Sequence, residues 1–282
     1  MKKKTKDIWV TKSSGEQAQF SKEKLRRSLI KSSAANKDIE YIISEIEKIL
    51  YQGISTKAIY KKAFKLLRKA SRPTAAKYKL KKALMELGPT GFPFERYFAE
   101  VLKQEGFSTE TGQTIEGQCV THEIDVIAKK DNKVILTECK FHADTRHKSD
   151  VKIPLYIHSR FLDLENQRKK NKNKVKKKYQ GWIVTNTRFT GQALKYGACV
   201  GLYMLDWNYP ENRSLKERID KASLHPITCL TTLTKNEKRK LLQKMVVLSK
   251  DLCQDENALQ SIGIKGIRRK RILAEANALC KL

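Results

Sequence analysis

The stretch THEIDVIAKKDNKVILTECK, residues 121 to 140, carries Glu123, Asp125, Glu138 and Lys140 inside two runs that are otherwise largely apolar. With Asp131 and Asn132 as a two-residue hairpin loop, Asp125 stands opposite Glu138 and Glu123 opposite Lys140. Side chains alternate along a strand, so this spacing predicts all four on one face, with Ile124, Val126, Thr137 and Cys139 on the other. Directly opposed Cβ atoms lie about 4.5 to 5.5 Å apart. Two carboxylates at that separation repel unless a cation lies between them. Two hard oxygen donors suit Mg²⁺ (or Mn²⁺), which commonly takes only one or two protein carboxylates together with water and substrate phosphate. Lys140 is then within reach of an attacking water or a scissile phosphate, and the chemistry indicated is metal-assisted phosphodiester hydrolysis. The residues alone leave another arrangement open, a solvated hairpin face with ordinary cross-strand ion pairs such as Glu123 to Lys140. A three- or five-residue loop would separate Asp125 and Glu138 onto opposite faces unless a bulge restored them.

Elements able to hold such a hairpin flank it on both sides. FPFERYFAEVLKQEGF places Phe94, Tyr97, Phe98, Val101 and Leu102 along one helical face, with Pro93 at a first-turn position. A strand is expected around residues 110 to 116, and GWIVTNTRFTGQALKYGACVGLYMLDW reads strand, loop, helix, strand. Strands mixed with helices imply an α/β core. Between them RKKNKNKVKKKYQ, residues 168 to 180, supplies Lys169, Lys170, Lys176 and Lys177 either to a phosphate-contacting surface or to a solvated arm.

The chain divides into a first domain over residues 7 to 86, a Gly- and Pro-containing linker LGPTGFP at 87 to 93, the α/β region at 94 to 210 and a helical segment at 211 to 282. In the first domain Ile8 and Val10, then Ala18 and Phe20, bracket a turn as a hairpin does, and Ser21 reads as the cap of a helix. Two further helical patterns follow, DIEYIISEIEKIL and STKAIYKKAFKLLRKA. At the far end LQSIGIKGIRRKRILAEANAL loosely resembles a helix-hairpin-helix, with Gly263 and Gly266 in the turn and Arg268 and Arg269 behind it. A plain helical hairpin accounts for the same composition.

Lys and Arg number 59 against 30 Asp and Glu, a formal net charge of +29, which favours polyanionic partners, nucleic acid first. A lysine-rich proteome is the alternative source of that excess. The six cysteines are scattered without a C-x-x-C pair, which argues against a structural zinc site and for a reducing, cytoplasmic setting. No apolar run approaches the roughly 18 residues of a membrane span, so no membrane partner is expected.

Asp125, a short hairpin and Glu138-x-Lys140 resemble the PD-(D/E)xK nuclease signature, with EID in place of the literal Pro-Asp. Glu95 on the preceding helix, and IVTNTRFTGQALKYG followed by GLYMLDW, are similar to the Mrr-type restriction endonuclease branch over about residues 90 to 210. The resemblance implies a restriction-endonuclease-like mixed sheet and a DNA endonuclease acting in restriction or repair. Asp125 and Glu138 would bind metal, Lys140 would position or activate water, and Glu95 would contribute from its helix. The glycine-rich DGG context of that family is replaced here by EGQCVTHEID, which bears on substrate preference. His122 and His142 flank the strands as secondary candidates. WVTKSSGEQAQFSKEKLRRSL, with AAKYKL near the end of the domain, resembles the ATP-cone, a nucleotide-sensing domain of ribonucleotide reductases and their repressor. That likeness implies ATP or dATP as effector, phosphate contacts from Lys12, Lys24, Arg26 and Arg27, and regulation through homo-oligomerisation as one route. The second expectation from the same residues is a non-catalytic, nucleotide-responsive DNA-binding protein.

Overall fold

The structure, a computed structural model, describes residues 8 to 12, 15 to 170, 177 to 255 and 257 to 280. The chain forms two compact units. The first joins the residues up to Ala83 with those from His225 onward, and the second runs from Leu84 to Leu224.

In the first unit β1 (Trp9–Thr11) pairs antiparallel with β2 (Gln17–Gln19) and parallel with β3 (Ile54–Ser55). The Ser21 hydroxyl accepts the Lys24 N–H and starts α1 (Lys22–Lys31), as the sequence predicts. There follow α2 (Asn36–Glu47), α3 (Thr56–Ala70), α4 (Arg72–Tyr78) and α5 (Leu80–Met85). Ser55 caps α3 and Ser71 caps α4 in the same manner, with Pro73 in the first turn of α4 where no N–H is needed. Val10 and Ile54 from the sheet form the core with Leu29, Ile39, Ile42, Ile43, Ile46 and Leu67, which helical spacing brings to one side of their helices.

The second unit opens with α6 (Phe92–Gln104), whose Phe94, Tyr97, Phe98, Val101 and Leu102 are all fully buried. Then come β4 (Ser108–Glu116), β5 (Thr121–Lys130), β6 (Lys133–Lys140), β7 (Lys148–Ser149), α7 (Lys152–Lys170), β8 (Lys178–Thr185), β9 (Arg188–Phe189), α8 (Gly191–Cys199), β10 (Tyr203–Leu205) and α9 (Leu215–Ala222). Five strands form a mixed sheet in the order β10-β8-β6-β5-β4. The β4–β5 and β5–β6 pairs are antiparallel, while β6–β8 and β8–β10 are parallel. Central β6 is buried from Val134 to Cys139, the continuous run expected of a strand covered on both faces. Gly181 on β8 is tight against α7: a Cβ there would come within 2.4 Å of the Phe161 ring.

The remaining helices, α10 (Lys235–Gln243), α11 (Asp251–Gln254), α12 (Asn257–Gln260) and α13 (Gly266–Cys280), return to the first unit. Lys79 and Lys238 both donate to the Thr228 carbonyl, at 2.8 and 2.9 Å, and the Thr228 hydroxyl donates to the Ala83 carbonyl at 2.7 Å. Glu275 on α13, 4% exposed, accepts the N–H and hydroxyl of both Thr231 and Thr232. No helix among the described residues is long and apolar enough to cross a membrane.

Candidate active site

The loop at Asp131 and Asn132 sets the register that the sequence predicts, from Lys130 opposite Lys133 to Val126 opposite Thr137. There the regular ladder stops, one pair short of Asp125 and Glu138. The Asp125 carboxylate takes over, its Oδ2 accepting the Cys139 N–H at 2.6 Å. On the other side β4 pairs with β5 at Thr111–Val126 and Gln113–Ile124, passing over Gly112, which has φ of +61°. Asp125 therefore interrupts the pairing on both flanks. Ile124 packs in one cluster with Ile127, Val134, Leu136 and Leu164.

Glu138 is 5% exposed and held on both oxygens: Lys140 Nζ lies 2.5 Å from Oε1, and Arg160 Nη1 lies 2.6 Å from Oε2. Tyr156 donates its hydroxyl to Oε1 at 3.3 Å, and its ring lies 5.5 Å from Lys140 Nζ and 5.6 Å from the Arg160 guanidinium carbon. Arg160 also donates to the Glu123 carbonyl at 3.2 Å. Lys140 thus takes Glu138 as its ion-pair partner, and the cross-strand Glu123–Lys140 pair is not formed among the described residues.

Burial and the neighbouring Glu138 push the Asp125 carboxyl up to about 6, against the lowering effect of the Cys139 N–H, Lys140 and Arg160. Glu95, half-buried in the first turn of α6, is pushed up to about 7 by burial and then by the charges of Asp125, Glu123 and Glu138. Burial is the largest single influence on the Lys140 ammonium and works against it, but the hydrogen bond and charge of Glu138, with Tyr156, together outweigh it and hold Lys140 above its usual value. Glu95, Asp125, Glu138 and Lys140 are therefore close enough to feel one another's charge. No trio of His, Cys, Asp or Glu among the described residues is arranged to hold a metal ion by itself. Asp125 and Glu138 match by donor type a hard cation that draws its other ligands from water and phosphate.

Tyr156 and Arg160 are the site residues that sequence reasoning missed. They lie one helical turn apart on α7 and so present together, but nothing in the motif points to them. His122 instead bonds Asp163 at 2.8 Å, and His142 bonds Ser149 at 3.0 Å, with the His147 ring 3.9 Å away and tilted by 32°. Burial, with His147 and Lys140 nearby, lowers His142 to about 4.

Most of the other predicted residues that the structure describes are exposed. Lys12 pairs with Glu16, Arg27 with Glu23, and Arg26 bonds both carboxylate oxygens of Glu40, while Lys24 is exposed. Lys169, which pairs with Glu165, and Lys170 end α7, and Lys177 is exposed just before β8; Lys176 lies outside the described residues. Arg268 is held by Glu237 through two hydrogen bonds, and Arg269 is partly buried beside it. The turn before them has Gly263 and Gly266 at φ of +85° and +58°, values that favour glycine.

Comparison with known proteins places these units in context. Residues 8 to 83 match the ATP cone domain, and residues 225 to 280 match the domain described as AF1548-like, C-terminal. An uncharacterised protein of Archaeoglobus fulgidus is 34% identical over 179 residues, covering 63% of this chain and 97% of the relative. The crystal structure of AF1548, a protein of unknown function, aligns at 31% identity and a TM-score of 0.56, over 68% of this chain and all of that one. Weaker likenesses are to Can2 of Sulfobacillus thermosulfidooxidans with cyclic tetra-adenylate, 15% identical at a TM-score of 0.29 over 64% of this chain and 47% of that one. The MspJI restriction endonuclease with a 27-mer oligonucleotide is 12% identical at 0.32, over 80% of this chain and 44% of that one. The chain carries an ATP cone domain ahead of its AF1548-like C-terminal match and belongs to the AF1548-like family.

Proposed function

We propose that the second unit is a divalent-metal-dependent endodeoxyribonuclease of the Mrr-type, PD-(D/E)xK kind, and that the ATP cone tunes it by binding ATP or dATP. The observation that carries this reading is the crowding of Glu95, Asp125 and Glu138 around one interruption of the sheet, with Lys140 beside them and two of the carboxyls pushed up to about 6 and 7. Buried like charges are costly, and a site that tolerates them is suited to a cation and to proton transfer near neutrality.

Asp125 and Glu138 would hold Mg²⁺ or Mn²⁺, which supplies acidified water and charge neutralisation at a phosphate. Lys140, bound to Glu138 at 2.5 Å, would position the attacking water and bear on charge developing at phosphorus. Arg160 and Tyr156 would fix the Glu138 carboxylate. Glu95, titrating near 7, would take a proton from the side of α6. DNA would be met by Lys169, Lys170, Lys176, Lys177, Arg268 and Arg269, and nucleotide phosphates by Lys12, Lys24, Arg26 and Arg27.

One observation favours a second reading, a non-catalytic, nucleotide-responsive DNA-binding protein: both Glu138 oxygens are already occupied by cations of the chain itself. Nicking of supercoiled plasmid separates the two. The nuclease reading expects Mg²⁺-dependent nicking that Asp125→Ala removes, whereas DNA binding without nicking, at any Mg²⁺ or Mn²⁺ concentration, supports the second.

A further inference from the structure

At the opposite end of the sheet, where β6 and β8 begin, the chain forms an open groove of about 690 Å³ lined by Phe107, Lys130, Lys133, Lys178, Tyr179 and Gln180 beside the β5–β6 loop. Lys133 and Lys140 stand at the two ends of one eight-residue strand, roughly 23 Å apart at the usual rise, so this groove is separate from the carboxylate cluster. Three lysines face a single aspartate, Asp131, in its lining. Among the described residues Lys133 and Lys178 enter no ion pair; Lys133 lies 5.8 Å over the Trp182 ring, and Lys130 lies 5.6 Å over Phe107. Tyr179 is 40% exposed, and Arg168 lies over its ring at 3.7 Å. A ring backed by a guanidinium is a rigid platform, because Arg168 restricts its motion from one face.

We propose that this groove binds a segment of single-stranded nucleic acid, with phosphates at Lys130, Lys133 and Lys178 and a base stacked on Tyr179. Cations that track a backbone, interleaved with an exposed aromatic face, are the combination that takes single strands without sequence preference. A duplex has its bases already stacked and leaves Tyr179 nothing to engage. The inference does not rest on catalysis at Asp125, because binding is read without metal.

The test uses the full chain in EDTA and a fluorescein-labelled single-stranded 12-mer of mixed sequence, followed by anisotropy across a salt series. Lys133→Glu with Lys178→Glu should weaken binding at least tenfold and flatten the salt dependence by about 1.4, the value for two lost phosphate contacts. Tyr179→Ala should weaken it roughly tenfold, the loss of one stacked base, with the salt slope unchanged. The same charge reversal at exposed Lys61 and Lys65 of α3 controls for the general positive charge and should cost less than twofold. Lys133→Gln with Lys178→Gln repeats the test should the glutamate pair lower the melting temperature. An equal loss in the Lys61 and Lys65 control, wild-type affinity in Tyr179→Ala, or an equal loss of duplex binding in Tyr179→Ala would each overturn the proposal.

Discussion

Glu40 in the ATP cone and Glu95 in the sheet unit are the same residue type on helices, yet their environments move them in opposite directions. Glu40 meets Arg26 at the surface, and that hydrogen bond lowers its carboxyl. Glu95 is half-buried among Asp125, Glu123 and Glu138, and burial with those charges raises it to about 7. Arg26 is thus satisfied locally, and under the proposed function a nucleotide phosphate would have to win it from Glu40. In the sheet unit negative charge is crowded together, with Lys140 and Arg160 both drawn to Glu138. A region of the first kind adds an ordinary surface contact. A region of the second kind keeps a cost in the fold that, under the proposed function, a bound cation would recover.

The largest effect expected of any substitution follows from that cost. Glu138→Gln keeps the shape of the side chain but removes the charge that Lys140 and Arg160 use and that a metal would use, and should lower plasmid nicking by about a thousandfold or more. ATP binding to the cone, read by calorimetry on the same protein, should be unchanged. Loss of both would mean that the two regions are not separable.

Next in size is a stability effect confined to the first unit. Glu275→Ala leaves the Thr231 and Thr232 donors without their shared carboxylate, at a cost of about 2–4 kcal/mol. Urea unfolding monitored by hydrogen exchange should show early opening of residues 225 to 280 and of α4. Protection of β6 should persist.

A smaller effect is expected from pH. Asp125 and Glu95 sit above ordinary carboxyl values in the folded protein, so the folded state still holds protons that the unfolded chain has released. Their contribution to stability is complete below about pH 4 and declines as pH rises through about 6 and 7. Glu95→Gln should accordingly raise the melting temperature at pH 8 by about 2–5 °C and leave it unchanged at pH 4. Mg²⁺ should stabilise the wild type more at pH 8 than at pH 5, and cleavage should rise over the same interval. A flat Mg²⁺ effect across that range would place the cation elsewhere.

The smallest effect lies in the cone. Lys24→Ala, which removes an exposed cation from the first turn of α1, should weaken ATP several-fold by calorimetry, a change of roughly 1 kcal/mol. Glu40→Gln frees Arg26 and should tighten it. Opposite signs would indicate that the pair, rather than the guanidinium, shapes the nucleotide site.

Much of this was legible in the sequence because it depends on local rules. A two-residue loop at Asp131 and Asn132 fixes the register of β5 on β6, apolar spacing marks the buried face of α6, and the Ser21 cap marks the start of α1. The interruption at Asp125 was not legible, since it arises when a side chain replaces a backbone partner and ends the ladder. Arg160 and Tyr156 were hidden for a related reason. They lie on a helix whose apolar stripe is weak, and only the packing of α7 on the sheet brings them to Glu138.

The central claim is that Asp125, Glu138 and Lys140 form a working hydrolytic site, and the most direct test compares wild type with Lys140→Ala. Both proteins should bind DNA alike in low-magnesium buffer. With Mg²⁺ added, wild type should nick supercoiled plasmid and Lys140→Ala should not; equal nicking by the two would contradict the assignment.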